Sequence, residues 1–218
     1  MTKRVGREAG AALVMVVMAL GLITSLSVAL LLSSSAEVGI AANFSAQRTA
    51  WYAADAIAER ALIDIIAAPD WTPLTAGLIQ SSFTDGPAGV RTLDDGSRLD
   101  LGTVVNVAGC QRLTPCSDAE LDAVAPHRPW GPRNPRWRLY AWGHVGDLVP
   151  DSTPNVPGYV VLMVAGPPAG DNGIVARAEA FGPRKAHAIV EVTVIRDDTD
   201  RDYNEPGAAK VIAWRELR

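Results

Sequence analysis

Cys110 and Cys116 are the only thiols in the chain and stand with five residues between them in Cys-Gln-Arg-Leu-Thr-Pro-Cys. Two cysteines without a third fit one loop-closing disulfide. A metal pair is the weaker alternative, because no histidine stands at ligand spacing to either sulfur. A second cluster, Asp198, Asp200 and Asp202, lies in the acidic run from Asp197 to Glu205. A calcium loop of the EF-hand kind needs Gly at its sixth position and Glu at its twelfth. Counted from Asp198 those places hold Tyr203 and Ala209, so a solvated loop is the simpler reading, with an irregular calcium site left as the alternative. A third stretch, His127 to Trp142, sets Arg128, Arg133, Arg136 and Arg138 among Trp130, Trp137, Tyr140 and Trp142. Arginines between stacking aromatics can bind single-stranded DNA. The more economical reading is a proline-rich surface loop leading into a strand whose aromatics are core, so nucleic acid is not an expected partner.

No catalytic set emerges. His127, His144 and His187 are scattered singly, and neither a Gly-x-Ser-x-Gly elbow nor a phosphate-binding loop ending in Lys-Ser or Lys-Thr is present. The Gly166–Gly173 cluster contains Pro167 and Pro168, which remove amide donors that a phosphate would use. The expectation is a non-enzymatic chain without an obligatory cofactor.

The elements that must position these residues begin with an unusual N-terminal quarter. Lys3, Arg4 and Arg7 precede 28 uncharged residues between Glu8 and Glu37, in which Thr24, Ser25 and Ser27 are the only polar side chains before Ser33. Such a run is long enough to cross about 30 Å of hydrocarbon as a helix. A cleavable secretion signal has a shorter apolar core and is followed by turn residues, whereas here a helical pattern runs on through Ser34-Ser35-Ala36. The basic leader predicts a cytoplasmic N-terminus and an exported remainder. Formal net charge is −4; with the first ten residues at +2, the rest carries −6, which gives no global reason to bind nucleic acid. The length leaves room for one anchor and one domain of ordinary size.

From Glu37 the pattern becomes amphipathic. Phe44, Trp51, Ala54, Ala58, Ala61 and Ile65 fall on one face at helical spacing, with Arg48, Asp55 and Glu59 on the neighbouring arc beside Tyr52. Pro69 ends the helix. A helix from Ala11 to Ile66 would be about 84 Å long at 1.5 Å per residue. The small residues of the stripe would let a sheet approach closely. Residues 70–97 read as loop with one helical turn near Ala76–Gln80. Strands are expected over Arg98–Val107, Trp137–Val145, Tyr159–Val164, Ile174–Phe181 and Ala188–Arg196, with a short last one at Lys210–Arg215. The Ile174 and Ala188 runs alternate polar and apolar residues around Gly182-Pro183-Arg184-Lys185, which describes a hairpin in an antiparallel sheet covered on one side.

The N-terminal third resembles the PilX-type minor pilins of the type IV pilus and pseudopilin superfamily. The likeness rests on Gly10-Ala11-Ala12-Leu13-Val14 after a short basic leader, and on Glu37 through Leu62. Within the latter, Asn43-Phe44, Arg48 and Ala50-Trp51-Tyr52-Ala53-Ala54-Asp55-Ala56 match an Asn-aromatic pair followed by an aromatic-Ala-acidic-Ala block. Asp55 stands where the family more often has Glu. About 60 residues carry the likeness well, and the remaining 150 or so only in layout.

The resemblance implies an α+β pilin-like fold, a long N-terminal helix packed on a C-terminal antiparallel sheet. Its segments would be a leader at 1–10, a transmembrane half at 11–35, an amphipathic periplasmic half at 36–67 and a head at 68–218. It implies cleavage by a prepilin peptidase between Gly10 and Ala11, usually with methylation of the new amine. Storage as a single-pass protein of the bacterial inner membrane would be followed by assembly into a pilus at the cell surface. Partners would be major and minor pilins, the peptidase and the inner-membrane assembly platform. Irregular calcium sites occur in pseudopilins, which keeps Asp198, Asp200 and Asp202 in view. One departure matters: major pilins carry Glu at mature position five, which here is Met15. Some tip subunits lack that Glu, including the K-type pseudopilin of type II secretion. The expected role is therefore tip or assembly initiation, with a K-like pseudopilin or a plain membrane-anchored binding protein as alternatives.

Overall fold

The computed structural model of the 218-residue chain describes residues 8–124, 136–148, 156–166, 173–196 and 208–217. The leader cations Lys3, Arg4 and Arg7, the stretch from His127 to Arg133, the interior of the Gly166–Gly173 cluster, and Asp198, Asp200 and Asp202 lie outside the described residues.

Helix α1 (Glu8–Ala67) runs for 60 residues. Nothing in it breaks a helix, since proline is absent until Pro69. Its end is closed by Arg196, which donates to the carbonyls of Ala68 and Pro69 and lays its guanidinium 4.4 Å from the ring centre of Trp71. A cation at a helix C-terminus satisfies orphan carbonyls and complements the helix dipole.

The chain divides into two compact units between Ser45 and Ala46. Residues 46–67 of α1 belong to the second unit, with the rest of the head.

In the first unit α1 exposes its apolar side chains all round, with Leu22 and Leu31 each 71% exposed. The three hydroxyls within the apolar run before Ser33 are turned back on the helix: Thr24 donates to Leu20 O at 2.9 Å, Ser25 to Leu22 O at 2.9 Å and Ser27 to Ile23 O at 2.8 Å. Hydroxyls bonded in this way leave no unsatisfied donor to face hydrocarbon. This helix is long and apolar enough to cross a membrane.

The second unit adds α2 (Thr72–Thr75), β1 (Val90–Thr92), β2 (Arg98–Asp100), α3 (Leu101–Cys110), α4 (Asp118–Val124), β3 (Arg138–His144), β4 (Tyr159–Ala165), β5 (Gly173–Phe181), β6 (His187–Arg196) and β7 (Ala209–Leu217). Strands β3 to β7 form one antiparallel sheet in chain order, and β1 and β2 pair separately. The class is α+β. On one face of the sheet lies the alanine stripe of α1. Ala50, Ala54, Ile57, Ala58, Ala61 and Ile65 are each no more than 2% exposed, against Val160, Leu162, Ala178 and Val192. Alanine at the contact brings helix axis and sheet close together.

Four expectations are corrected. The helical turn lies at Thr72–Thr75 instead of Ala76–Gln80, because Pro73 suits a first helical turn, where its missing N–H is not needed. Arg98–Val107 is not a strand: three residues pair in β2, then Asp100 caps α3 by accepting from Gly102 N at 3.0 Å. Leu101, Val104 and Ala108 then fall on one buried helical face. The sheet is covered on both faces, not one. A second core of Leu101, Val104, Trp137, Trp142, Tyr159 and Met163 fills the side opposite α1, which is why all seven residues of β4 are buried. Phe44, placed on the buried stripe by its spacing, is 66% exposed, and Trp51 is only half-buried.

Candidate functional site: helix α1 and the elements packed on it

Gly10 and Ala11 are helical and exposed, and a Cβ added at Gly10, Gly21 or Gly39 would meet nothing within 4 Å. Glycine in a helix interior costs about 1 kcal/mol relative to alanine. No described residue uses the space these glycines leave. Glu37, Asn43 and Phe44 are likewise exposed.

Three of the motif residues come together in the next turns. Arg48 donates to the hydroxyl of Tyr52 at 3.0 Å and stands 5.4 Å from its ring centre, while Trp51 meets Tyr52 edge-on at 4.9 Å. Trp51 also packs against the main core, with its indole nitrogen buried and without an acceptor among the described residues. Asp55 is half-buried on the same helix. The arrangement is a contact surface of aromatic planes and a cation. It holds no nucleophile poised beside a base.

What grips α1 was mostly not foreseen. At the start of the head's helical segment, Gln47 Nε2 donates to His187 O at 2.7 Å. Gly182, before the β5–β6 turn, lies so near α1 that a Cβ there would stand 3.5 Å from Ala50 Cβ. Near the other end, Ser81 donates to Asp64 at 3.1 Å and the Tyr140 hydroxyl lies 3.5 Å from the same carboxylate. Burial, and then the Asp64 charge, push the Tyr140 phenol up to about 12. Trp71 Nε1 donates to Ile65 O at 2.7 Å. The helical stripe announced the buried face, but these partners are 6 to 140 residues away, and spacing carries no record of them.

The head's sheet carries a buried ionic network. Glu179 and Glu191, each 4% exposed, are bridged by Arg177 at 2.6 Å and 3.0 Å. Arg215 reaches Glu191 at 3.3 Å and His187 reaches Glu179 at 2.9 Å. Burial works to raise the Glu179 carboxyl, but the His187 hydrogen bond and the Arg177 charge outweigh it and hold it below its ordinary value. At the start of β4, Tyr159 donates to Asp85 at 2.8 Å, beside the Arg91–Asp85 pair at 2.9 Å. Burial and that carboxylate raise the Tyr159 phenol.

Cys110 and Cys116 form a disulfide with Cα atoms 6.1 Å apart, closing the loop between α3 and α4. It borders a cavity of about 250 Å³ lined by Asn106, Leu121 and Trp137, among others. Of the basic aromatic stretch, Arg136 is paired with Asp118 at 3.3 Å and Asp122 at 3.1 Å. Trp137, Tyr140 and Trp142 are buried, as a core reading requires. His144 meets Tyr159 edge-on at 5.3 Å, and His187 stacks on Phe181 at 4.6 Å. Among the described residues no three His, Cys, Asp or Glu side chains converge as metal ligands. Comparison with protein-family models, characterised proteins and solved structures finds no match to this chain.

Proposed function

We propose that this chain is a minor pilin of the type IV pilus and pseudopilin superfamily, stored in a membrane through residues 11–35 and placed at a filament tip or in its initiation complex. One observation carries the reading: a single helix presents an uncharged, exposed stretch from Gly10 to Ala36 and then, from Ala46, a small-residue face buried on an antiparallel sheet. An apolar helix drawn out of lipid is stable only if neighbours bury it. The open glycines Gly21 and Gly39 give such neighbours a close approach. Gly10 before Ala11 supplies the processing register that a plain anchor has no need of. Met15, in place of the carboxylate that would pair with a neighbour's terminal amine, favours a tip position over the shaft, and it equally suits a K-like pseudopilin. Gene neighbourhood separates those two systems.

The test is stoichiometric. Filaments sheared and purified from the native host should contain this chain at a small fraction of the major subunit. Met15→Glu should raise that fraction. A chain absent from filaments sinks the reading, and an unchanged fraction in the variant removes the argument for the tip.

A further inference from the structure

Trp137 is 4% exposed, and its indole nitrogen is buried without an acceptor. A buried N–H is almost always bonded to protein or water, because a bare one forfeits the bond it had in solvent. The neighbouring Arg136 repeats the pattern. Its Nη2 is held by Asp118 and Asp122, whereas its Nη1 is buried and has no acceptor. Arg138 is exposed, and its guanidinium has no partner among the described residues. Each of three consecutive side chains thus holds an unused donor.

All three line the cavity of about 250 Å³ beside the disulfide, which lies wholly within the second unit. At about 30 Å³ per water in the liquid, that space equals about eight waters. The disulfide fixes one wall, Pro115 and Cys116, while Val105 of α3 and Leu121 of α4 supply apolar surface. The Arg138 stem runs over Gly77, where an added Cβ would stand 3.2 Å from Arg138 Cδ. The lining sets two cations against one carboxylate, Asp118, which Arg136 Nη2 already holds at 3.3 Å. This donor excess stands in a chain of net charge −4. We propose that the cavity binds a small organic carboxylate, its oxygens on Arg136, Trp137 and Arg138 and a short apolar body against Val105 and Leu121. A guanidinium fork matches the two oxygens of a carboxylate, and an indole N–H can only donate. A ligand that only donates would leave all three groups unsatisfied, and inorganic phosphate has no use for the apolar walls. A free acid and the C-terminus of a protein chain present the same group. The site lies in the head and stands whether or not the chain joins a filament.

The test is a titration of the full chain, labelled with nitrogen-15 in uncharged maltoside micelles, followed at the tryptophan indole N–H signals. The signal lost in Trp137→Phe is that of Trp137. Hexanoate stands for a free acid and N-acetylleucine for a chain terminus, with hexanamide and inorganic phosphate as controls. The Trp137 signal should move downfield and saturate with the acids, and hexanamide should bind about tenfold more weakly or worse. Tighter binding of N-acetylleucine than of hexanoate supports a protein terminus as the source of the carboxylate, and the reverse supports a free acid. Arg138→Gln should weaken the acids about tenfold, the effect of one hydrogen bond to a charged group. It should leave the thermal midpoint unchanged, because this guanidinium pairs with no described residue, so its lost binding cannot be misfolding. Arg138→Lys should keep part of the affinity, as a charge without the fork. No saturable shift with either acid assigns the donors to water and overturns the site. So does equal binding of hexanamide or of phosphate, or an Arg138→Gln variant that binds as the parent does.

Discussion

Arg177 and Glu191 are direct cross-strand partners in β5 and β6, and the guanidinium meets the carboxylate at 3.0 Å under nearly complete burial. Arg177 also holds Glu179, so one cation spans two buried anions. Removing it leaves Glu179 with His187 and Glu191 with Arg215 as their remaining charged partners, both away from water. Arg177→Leu should cost the head about 3–5 kcal/mol, the range for breaking a buried pair from one side. Urea denaturation of the full chain in detergent measures this, and a loss below about 1 kcal/mol would show the network to be solvated.

The same network sets an acid limit. The Glu179 carboxyl is depressed below its ordinary 4.5 in the folded chain. Its contribution is therefore fully present above that value and is lost as pH falls through the depressed one. Thermal midpoints should fall on acidification below about pH 4.5, more steeply in the parent than in Glu179→Gln. The variant should be less stable at neutral pH and should lose less on going down. Parallel curves would remove Glu179 as the cause.

An alkaline limit follows from Tyr140. Its phenol is raised from 10 to about 12 by burial and by Asp64, so the folded state keeps a proton that the unfolded chain releases. Stability is whole below pH 10 and declines as pH rises through about 12. Tyr140→Phe should shrink that decline to the part left by Tyr159, whose phenol is also raised, while losing the contact to Asp64 and Ser81. Circular dichroism melts across this window decide it.

These charges also mark where sequence reading failed. The alternation of Arg177, Glu179 and Glu191 with Ala and Val was legible and gave β5, β6 and their hairpin correctly. The same alternation reads as a solvated face in the sequence alone, because a polar residue looks alike in water and in a closed ion network. The run Val104-Val105 looked like a strand through its β-branched residues. The cap at Asp100 and the 101–104–108 spacing override that propensity. Phe44 obeys the helical period of the stripe yet lies before the head begins, and periodicity does not say where the partner stops. The disulfide needed only a count of two cysteines.

Alanine at the helix–sheet contact should be intolerant of growth. Ala54 and Ala58 are 0% and 1% exposed beneath the sheet. Ala54→Leu or Ala58→Leu should destabilise by about 1–3 kcal/mol, and more if the helix cannot shift. Ile63→Leu on the exposed side, 71% exposed, should be nearly neutral and serves as the control. Equal effects at both places would contradict the packing described.

The disulfide closes a short loop, so its entropic effect is modest. Replacing Cys110 and Cys116 together by serine should cost about 2 kcal/mol by the chain-entropy relation. The loss should appear first as faster amide exchange in α4, which the loop joins to α3. Uniform change across the sheet would mean that α4 folds with the whole head.

The central claim is that residues 11 onward form the mature subunit of a filament. Intact mass and N-terminal sequence, from cells with and without the prepilin peptidase, test it most directly. The account predicts a peptidase-dependent start at Ala11, with or without a methyl group on the new amine. A start at Met1 in both strains would contradict it and leave a membrane-anchored head without a filament.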